Sequence, residues 1–247
     1  MRFTQSLKFN FLLWILGAFF LASIGQSLVS YWSGKDILIQ QIQENCTQIA
    51  DATGDEIDAW IAGKFSEMST LAKLDEVRNL DAERLPALLS GLMSADHDNL
   101  YVVWPDGTVV GDTGLQDFKL DERNYFKLAM AGKANIDTPV ISKATGNLVA
   151  PIAVPIYQGD KVVGVLGATI KAEKITEITS DVKVGETGYA YLINQDTTFV
   201  AHPKKDYILQ KKLSDDAEGM EDVIKRMTAL ETGIAEYEYD GEVKYMA

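Results

Sequence analysis

Residues 120–170 read LDERNYFKLAMAGKANIDTPVISKATGNLVAPIAVPIYQGDKVVGVLGATI, and the fold is decided here. Arg123, Tyr125 and Phe126 open the stretch, and a short run of helical spacing leads to Gly132. Three Val- and Ile-rich segments follow, parted by turn signals at Thr145-Gly146 and Gln158-Gly159-Asp160. Short apolar runs between turn residues are the pattern of an antiparallel sheet, here laid against a short helix. One guanidinium and an aromatic pair stand at its mouth. That layout suits the holding of a small anionic molecule more than catalysis.

Upstream, Asn99–Trp104 and Thr108–Gly111 flank Pro105-Asp106-Gly107, a strong hairpin signal because Asp and Gly tolerate tight-turn dihedrals. Asp81–Met93 reads as a helix with Asp81 as N-cap candidate and Pro86 placed to interrupt it. From Lys35 to about Asn79 there is no proline, and Ile57, Ile61, Met68 and Ala72 make an apolar stripe opposite Asp55, Glu56 and Asp58. A strict heptad is not sustained, so this helix is expected to pack along its own domain, with homodimer contacts at its membrane end. Before it, Phe9 to Gly34 carries no charge and is long enough to span a hydrocarbon core of roughly 30 Å. Arg2 and Lys8 precede this segment, which places the N-terminus in the cytoplasm and everything after Lys35 outside. The apolar run is longer than a signal-peptide core, which favours an uncleaved anchor.

Downstream, Lys171–Asp181 reads as a helix, and then the pattern starts again. Gly188–Asn194 and Thr197–Ala201 repeat the strand, Asp-turn, strand layout, with Tyr191-Leu-Ile-Asn in the place of Tyr101-Val-Val-Trp. A helix over Glu218–Leu230 and a hairpin of Ile234–Tyr239 with Glu242–Met246 complete the chain. This second copy lacks a closing strand, so the natural protein is expected to continue. The fold class is α+β: a long N-terminal helix followed by two tandem antiparallel-sheet modules. The expected partition is a cytoplasmic N-terminus (1–8), transmembrane helix (9–32), stalk helix (33–79), membrane-distal module (80–181) and incomplete membrane-proximal module (182–247).

Charge and motifs exclude several classes. A balance of 23 basic against 36 acidic residues, net −13, repels nucleic acid. The single cysteine, Cys46, rules out an internal disulfide framework. His97 and His202 are far apart in sequence; His97, between Asp96 and Asp98, reads as a solvated loop residue and His202, before Pro203, as structural. No Gly-x-Ser-x-Gly elbow, phosphate loop or dinucleotide fingerprint occurs, so no enzyme activity, metal or cofactor is expected.

An anchor, a long outward helix and two small α/β units resemble the double Cache domain, the extracellular sensor of many bacterial chemoreceptors, sensor histidine kinases and cyclic-dinucleotide enzymes. The resemblance rests on Asp121-Glu-Arg123-Asn-Tyr125-Phe126, Pro139 through Gly146, Val163-Gly-Val-Leu-Gly167, and Tyr191-Leu-Ile-Asn with Ala201-His202-Pro203. It implies two PAS-like modules, a ligand in the distal one, and small-molecule sensing in the plasma membrane, most simply by a methyl-accepting chemotaxis receptor. An adhesion or scaffold module, or the input of a histidine kinase or diguanylate cyclase, is the alternative. Amino-acid-binding members hold the carboxylate through an arginine and an aromatic pair, which fall here on Arg123, Tyr125 and Phe126. A tyrosine of the next strand is replaced by Val140, near Ser142, and the aspartate that holds the amine is replaced by Thr169. A buried ammonium without a carboxylate is costly. The expectation is therefore an organic acid or neutral heterocycle rather than an α-amino acid.

Overall fold

The computed structural model describes residues 7–142, 145–216, 219–239 and 242–247. Helix α1 (Leu7–Leu71) runs for 65 residues without a break. Nothing in it interrupts the backbone ladder, so the expected span and stalk are one element. Its first part exposes Phe11, Trp14, Phe19, Phe20 and Leu21. Among the described residues one helix, this one, is long and apolar enough to cross a membrane. It ends at Leu71, not near Asn79. The chain turns there and re-enters a helix, α2 (Asp75–Arg78), which seats Val77 in the core with no exposure. A straight continuation would leave that side chain in water. Arg78 Nε donates to the Tyr157 carbonyl at 3.2 Å, and Gln158 Nε2 donates to the Arg78 carbonyl at 2.9 Å, fixing the turn.

Helix α3 (Leu85–Leu92) is shorter than the sequence predicts. Pro86 does not interrupt it but sits in its first turn, where the missing N–H has no intrahelical partner to lose. Asp81 shapes the turn before it, its Oδ1 accepting the N–H groups of Glu83 and Arg84 at 3.2 and 3.3 Å.

The sheet is wholly antiparallel. Its strands are β1 (His97–Val103), β2 (Thr108–Gly111), β3 (Gly114–Lys119), β4 (Asn135–Ile136), β5 (Val140–Ile141), β6 (Leu148–Gln158) and β7 (Lys161–Lys171). The order is β3-β2-β1-β7-β6-β4, with β5 also paired to β6. The β3 edge, largely exposed, is additional to the sequence reading. The single strand expected over Asn135–Ile141 is divided into β4 and β5 at Asp137-Thr138-Pro139, since proline has no N–H for the ladder. Helix α4 (Asn124–Met130) lies between β3 and β4 in the chain.

Alternation sends side chains to two faces. Leu100, Val102, Ile152, Val154, Leu166, Ala168 and Ile170 face Met68, Val77, Leu85 and Leu89 in the main core. Tyr101, Val103, Ala153 and Val165 form the opposite face with Tyr125, Phe126 and Ala129 of α4.

After β7 come α5 (Glu173–Asp181), β8 (Lys183–Val184), β9 (Gly188–Tyr189), β10 (Leu192–Ile193), β11 (Phe199–Ala201) and α6 (Glu221–Thr228). The repeated turn is visible in atomic detail. Asp106 Oδ1 accepts the Thr108 N–H at 3.1 Å, and Asp196 Oδ1 accepts the Thr198 N–H at 3.2 Å. His202 is buried as expected, stacked on Tyr207 at 4.7 Å between ring centroids and edged by Tyr189 and Phe199. The last hairpin pairs β12 (Ala235–Tyr239) with β13 (Glu242–Met246). The chain divides into two compact units, residues 49–232 and residues 1–48 with 233–247. The candidate site lies entirely within the first of these.

Candidate functional site

Strand register places two rows of residues on the α4 face of the sheet. In one, Tyr101 pairs Gly167, Gly167 pairs Ala153, and Ala153 pairs Asn135. In the next, Asn99 pairs Thr169, Thr169 pairs Pro151, and the Pro151 carbonyl accepts the Asp137 N–H at 2.8 Å. The middle of both rows is small: Gly167, Ala153, Pro151 and Thr169. The Tyr101 ring lies across Gly167, where a Cβ would meet ring carbons Cζ and Cδ2 at 2.8 and 3.0 Å. Only glycine leaves that space.

Tyr125 and Phe126 reach this face from the first turn of α4 and are 8% and 4% exposed. Asn135 Nδ2 donates to the Tyr125 carbonyl at 3.0 Å and so ties α4 to β4. The Tyr101 and Tyr125 rings share one buried cluster, and each phenol lies within electrostatic reach of the other. Burial, then the neighbouring Tyr125, pushes the Tyr101 phenol well above its ordinary range. Burial likewise raises the Tyr125 phenol, with Arg123 opposing and Asp137 adding to the shift. Both phenols therefore stay protonated and serve as neutral hydrogen-bonding groups.

Arg123 immediately precedes α4 and is exposed. A salt bridge to Asp121, Glu122 or Asp137 would have made it structural, but it pairs with no carboxylate among the described residues. Glu122 instead pairs with Lys127 at 3.1 Å. An uncommitted guanidinium beside two phenols is free to receive an anion.

The other sequence-derived positions fall as follows. Val140 pairs Val149, which carries it to the same face one row further on, and it is 47% exposed. Ser142 belongs to the turn after β5, its Oγ accepting the Thr145 N–H at 3.3 Å. Lys143 and Ala144 lie outside the described residues. Thr145 Oγ1 and Asn147 Nδ2 both donate to Asp98 Oδ1, at 2.8 and 3.0 Å, which holds this turn against β1. Thr169 Oγ1 is buried and has no hydrogen-bond partner among the described residues. The face thus brings together Arg123, Tyr125, Phe126 and Thr169, with Val140 at its margin; Ser142 is committed to its turn.

Tyr101, Asn135, Asp137 and Gly167 were not chosen from sequence as site residues. Two signals pointed to them: Tyr101 alternates with Val103 in the hairpin, and Gly167 interrupts a strand of large apolar residues. His97 is corrected outright. It is 3% exposed rather than solvated. Its Nδ1 accepts the Ser94 N–H at 3.1 Å, which leaves Nε2 facing Glu67 Oε1 at 3.4 Å. Beside it, Lys64 Nζ reaches Asp96 at 2.6 Å and Glu67 at 3.1 Å. These contacts pin α1 to the start of β1. Among the described residues no group of three or more His, Cys, Asp or Glu side chains is placed to hold a metal.

An antiparallel sheet with a long helix packed on one face and a short helix on the other is the architecture of an α+β sensor module. The chain belongs to the dCache_1 family, the Cache domain, whose model matches residues 34–247. It is 26% identical over 181 residues to the methyl-accepting chemotaxis protein PctB of Pseudomonas aeruginosa, covering 71% of this chain and 28% of that one. The chain spans about a third of the length of the curated relatives it matches, 33% of McpA from Bacillus subtilis. Among solved structures, the ligand-binding domain of PctB with L-Arg aligns with a TM-score of 0.58 at 22% identity, covering 84% of each chain. That of the Pseudomonas fluorescens chemoreceptor CtaA with L-isoleucine aligns at 0.63 and 18%, covering 85% and 86%. That of the Pseudomonas aeruginosa chemoreceptor PctC with GABA aligns at 0.61 and 22%, covering 80% and 88%.

These neighbours overturn the expectation that disfavoured an amino acid. They carry L-Arg, L-isoleucine and GABA, all bearing an amine. The expectation rested on the single position Thr169, whereas the register brings residues of several strands to this face.

Proposed function

We propose that this chain is the anchor and sensor of a methyl-accepting chemotaxis receptor, with α1 crossing the plasma membrane and residues after Lys35 outside it. The ligand is an amino acid or a close relative such as GABA. It lies at the α4 face, its carboxylate on Arg123 and the Tyr125 hydroxyl, near Thr169 and the Tyr101 ring that covers Gly167. One observation supports this reading: Arg123 is exposed, has no ion-pair partner among the described residues, and lies within electrostatic reach of the Tyr101 and Tyr125 phenols. Charge-assisted bonds from a guanidinium contribute about 1.5–3 kcal/mol each. The match to chemotaxis proteins favours that output over a kinase or cyclase. Receptor copies pair as homodimers along α1. A ligand that favours one packed state by about 1–3 kcal/mol gives a usable switch.

Calorimetric titration of the full chain in lipid nanodiscs with the common L-amino acids and GABA tests the reading. Binding to wild type, weakened at least tenfold in Arg123→Ala, is the expected result. Equal affinity in the two proteins removes Arg123 from the site.

A further inference from the structure

The amino-acid reading requires a carboxylate for the ammonium, and Thr169 is not one. The row that contains Thr169 ends in one. Asp137 sits beside Pro151, its N–H on the Pro151 carbonyl at 2.8 Å, and Pro151 pairs Thr169 across the sheet. Asn135 is on the α4 face and bonds the Tyr125 carbonyl, whereas Ile136 packs on the opposite, main core. Alternation returns Asp137 to the α4 face.

Its carboxylate is only partly used. Oδ1 accepts the Thr138 N–H at 2.8 Å, and among the described residues Oδ2 accepts no bond and Asp137 forms no ion pair. Arg123 is likewise unpaired, and the two opposite charges have not closed on each other. Both lie within electrostatic reach of the Tyr125 hydroxyl. Two opposite charges near one phenol, neither paired among the described residues, match a molecule that carries both signs. The orphaned Thr169 Oγ1, next in the row, supplies a further acceptor between them.

We propose that Asp137 receives the ligand ammonium in place of the aspartate absent at position 169, so that the site is a zwitterion clamp between Arg123 and Asp137. This rests on the amino-acid reading of the site. Asp137 lies three residues before Val140, in the break between β4 and β5, so the clamp draws its two charges from the segments on either side of α4. An acid without the amine leaves Asp137 unengaged, and an amine without the acid leaves Arg123 unengaged. The site therefore discriminates by charge pattern before it discriminates by side chain.

The full chain in lipid nanodiscs is titrated with the common L-amino acids and GABA, and with acetate, propionate and isovalerate as carboxylate-only probes. Asp137→Asn is expected to weaken the amino acid bound by wild type by roughly tenfold to a hundredfold. The same variant is expected to leave the carboxylate-only probes unchanged or bound more tightly. An amino-acid affinity in Asp137→Asn within threefold of wild type overturns the role of Asp137 while leaving the amino-acid reading intact. A wild-type protein that binds only the carboxylate-only probes overturns both. If Asp137→Asn shifts the unfolding midpoint, the double variant Asp137→Asn/Thr169→Asp decides. Recovery of amino-acid binding supports the clamp, and its absence refutes it.

Discussion

Adding one carbon at Gly167 tests the site's packing directly. The Cβ of Gly167→Ala would sit against the Tyr101 ring, 2.8 Å from Cζ and 3.0 Å from Cδ2. The ring cannot retreat freely, since Tyr101 is 8% exposed and packed with Val103, Val165 and Phe126. Overpacking of this kind costs about 1–3 kcal/mol. Alanine recovers about 0.4–1 kcal/mol by restricting the unfolded chain. The net loss is up to about 2.6 kcal/mol, or up to roughly 10 °C at about 2–4 °C per kcal/mol for a domain of this size class. Gly111→Ala is the matched control on the same sheet, because its Cβ finds its nearest atom at an ordinary 3.5 Å. That variant is expected to unfold at or slightly above the wild-type midpoint. Thermal unfolding followed by circular dichroism compares the three proteins. Equal midpoints for Gly167→Ala and Gly111→Ala would show that Tyr101 does not lie across Gly167.

Asp96→Asn should destabilise by about 1–3 kcal/mol in urea titration, because it leaves Lys64, 9% exposed, with Glu67 as its remaining carboxylate. Asp75→Asn, whose pair with Arg78 is 3.9 Å long and exposed, should change stability by less than about 0.5 kcal/mol. Burial lowers the proton affinity of both His97 and His202 in the folded state. The unfolded chain therefore binds protons first, and stability is lost as pH falls below about 6.5 toward the lowered folded values. His97→Gln should flatten that part of the stability–pH curve, and an unchanged slope would count against a neutral, buried His97. Gly107→Ala should cost more than 1 kcal/mol, since Gly107 has φ +84 and its Cβ would meet Asp121 Cβ at 2.7 Å; an unfolding midpoint equal to wild type would contradict this.

What was legible in the sequence was what lies contiguous along the chain. Arg123, Tyr125 and Phe126 share one short segment, so their joint presence at the sheet could be read without knowing any pairing. The hairpin at Asp106-Gly107 and its echo at Asp196 were legible for the same reason. Tyr101, Gly167 and Asp137 belong to the site only through register, which joins Asp137 to Pro151 across 14 positions and Tyr101 to Gly167 across 66. Asp137 was weighed only as a partner that would neutralise Arg123; its separation from that arginine appears once β4 is laid against β6. His97 was misread because its neighbours in sequence, Asp96 and Asp98, are polar, while its burial comes from Glu67 and Lys64 on a helix thirty residues earlier. The end of α1 was misplaced because Val77 keeps helical spacing whether or not the chain turns before it.

The ion cluster of Lys64, Glu67, Asp96 and His97 limits how α1 can move. A slide of α1 by one turn would strip the 2.6 Å contact to Asp96 and strand a buried ammonium. The helix at Lys64 and the strand at Asp96 therefore travel as one rigid piece. In the proposed receptor, a ligand that shifts this sheet therefore carries the Lys64 turn of α1 with it, strand and helix turn moving together and not slipping one turn past each other.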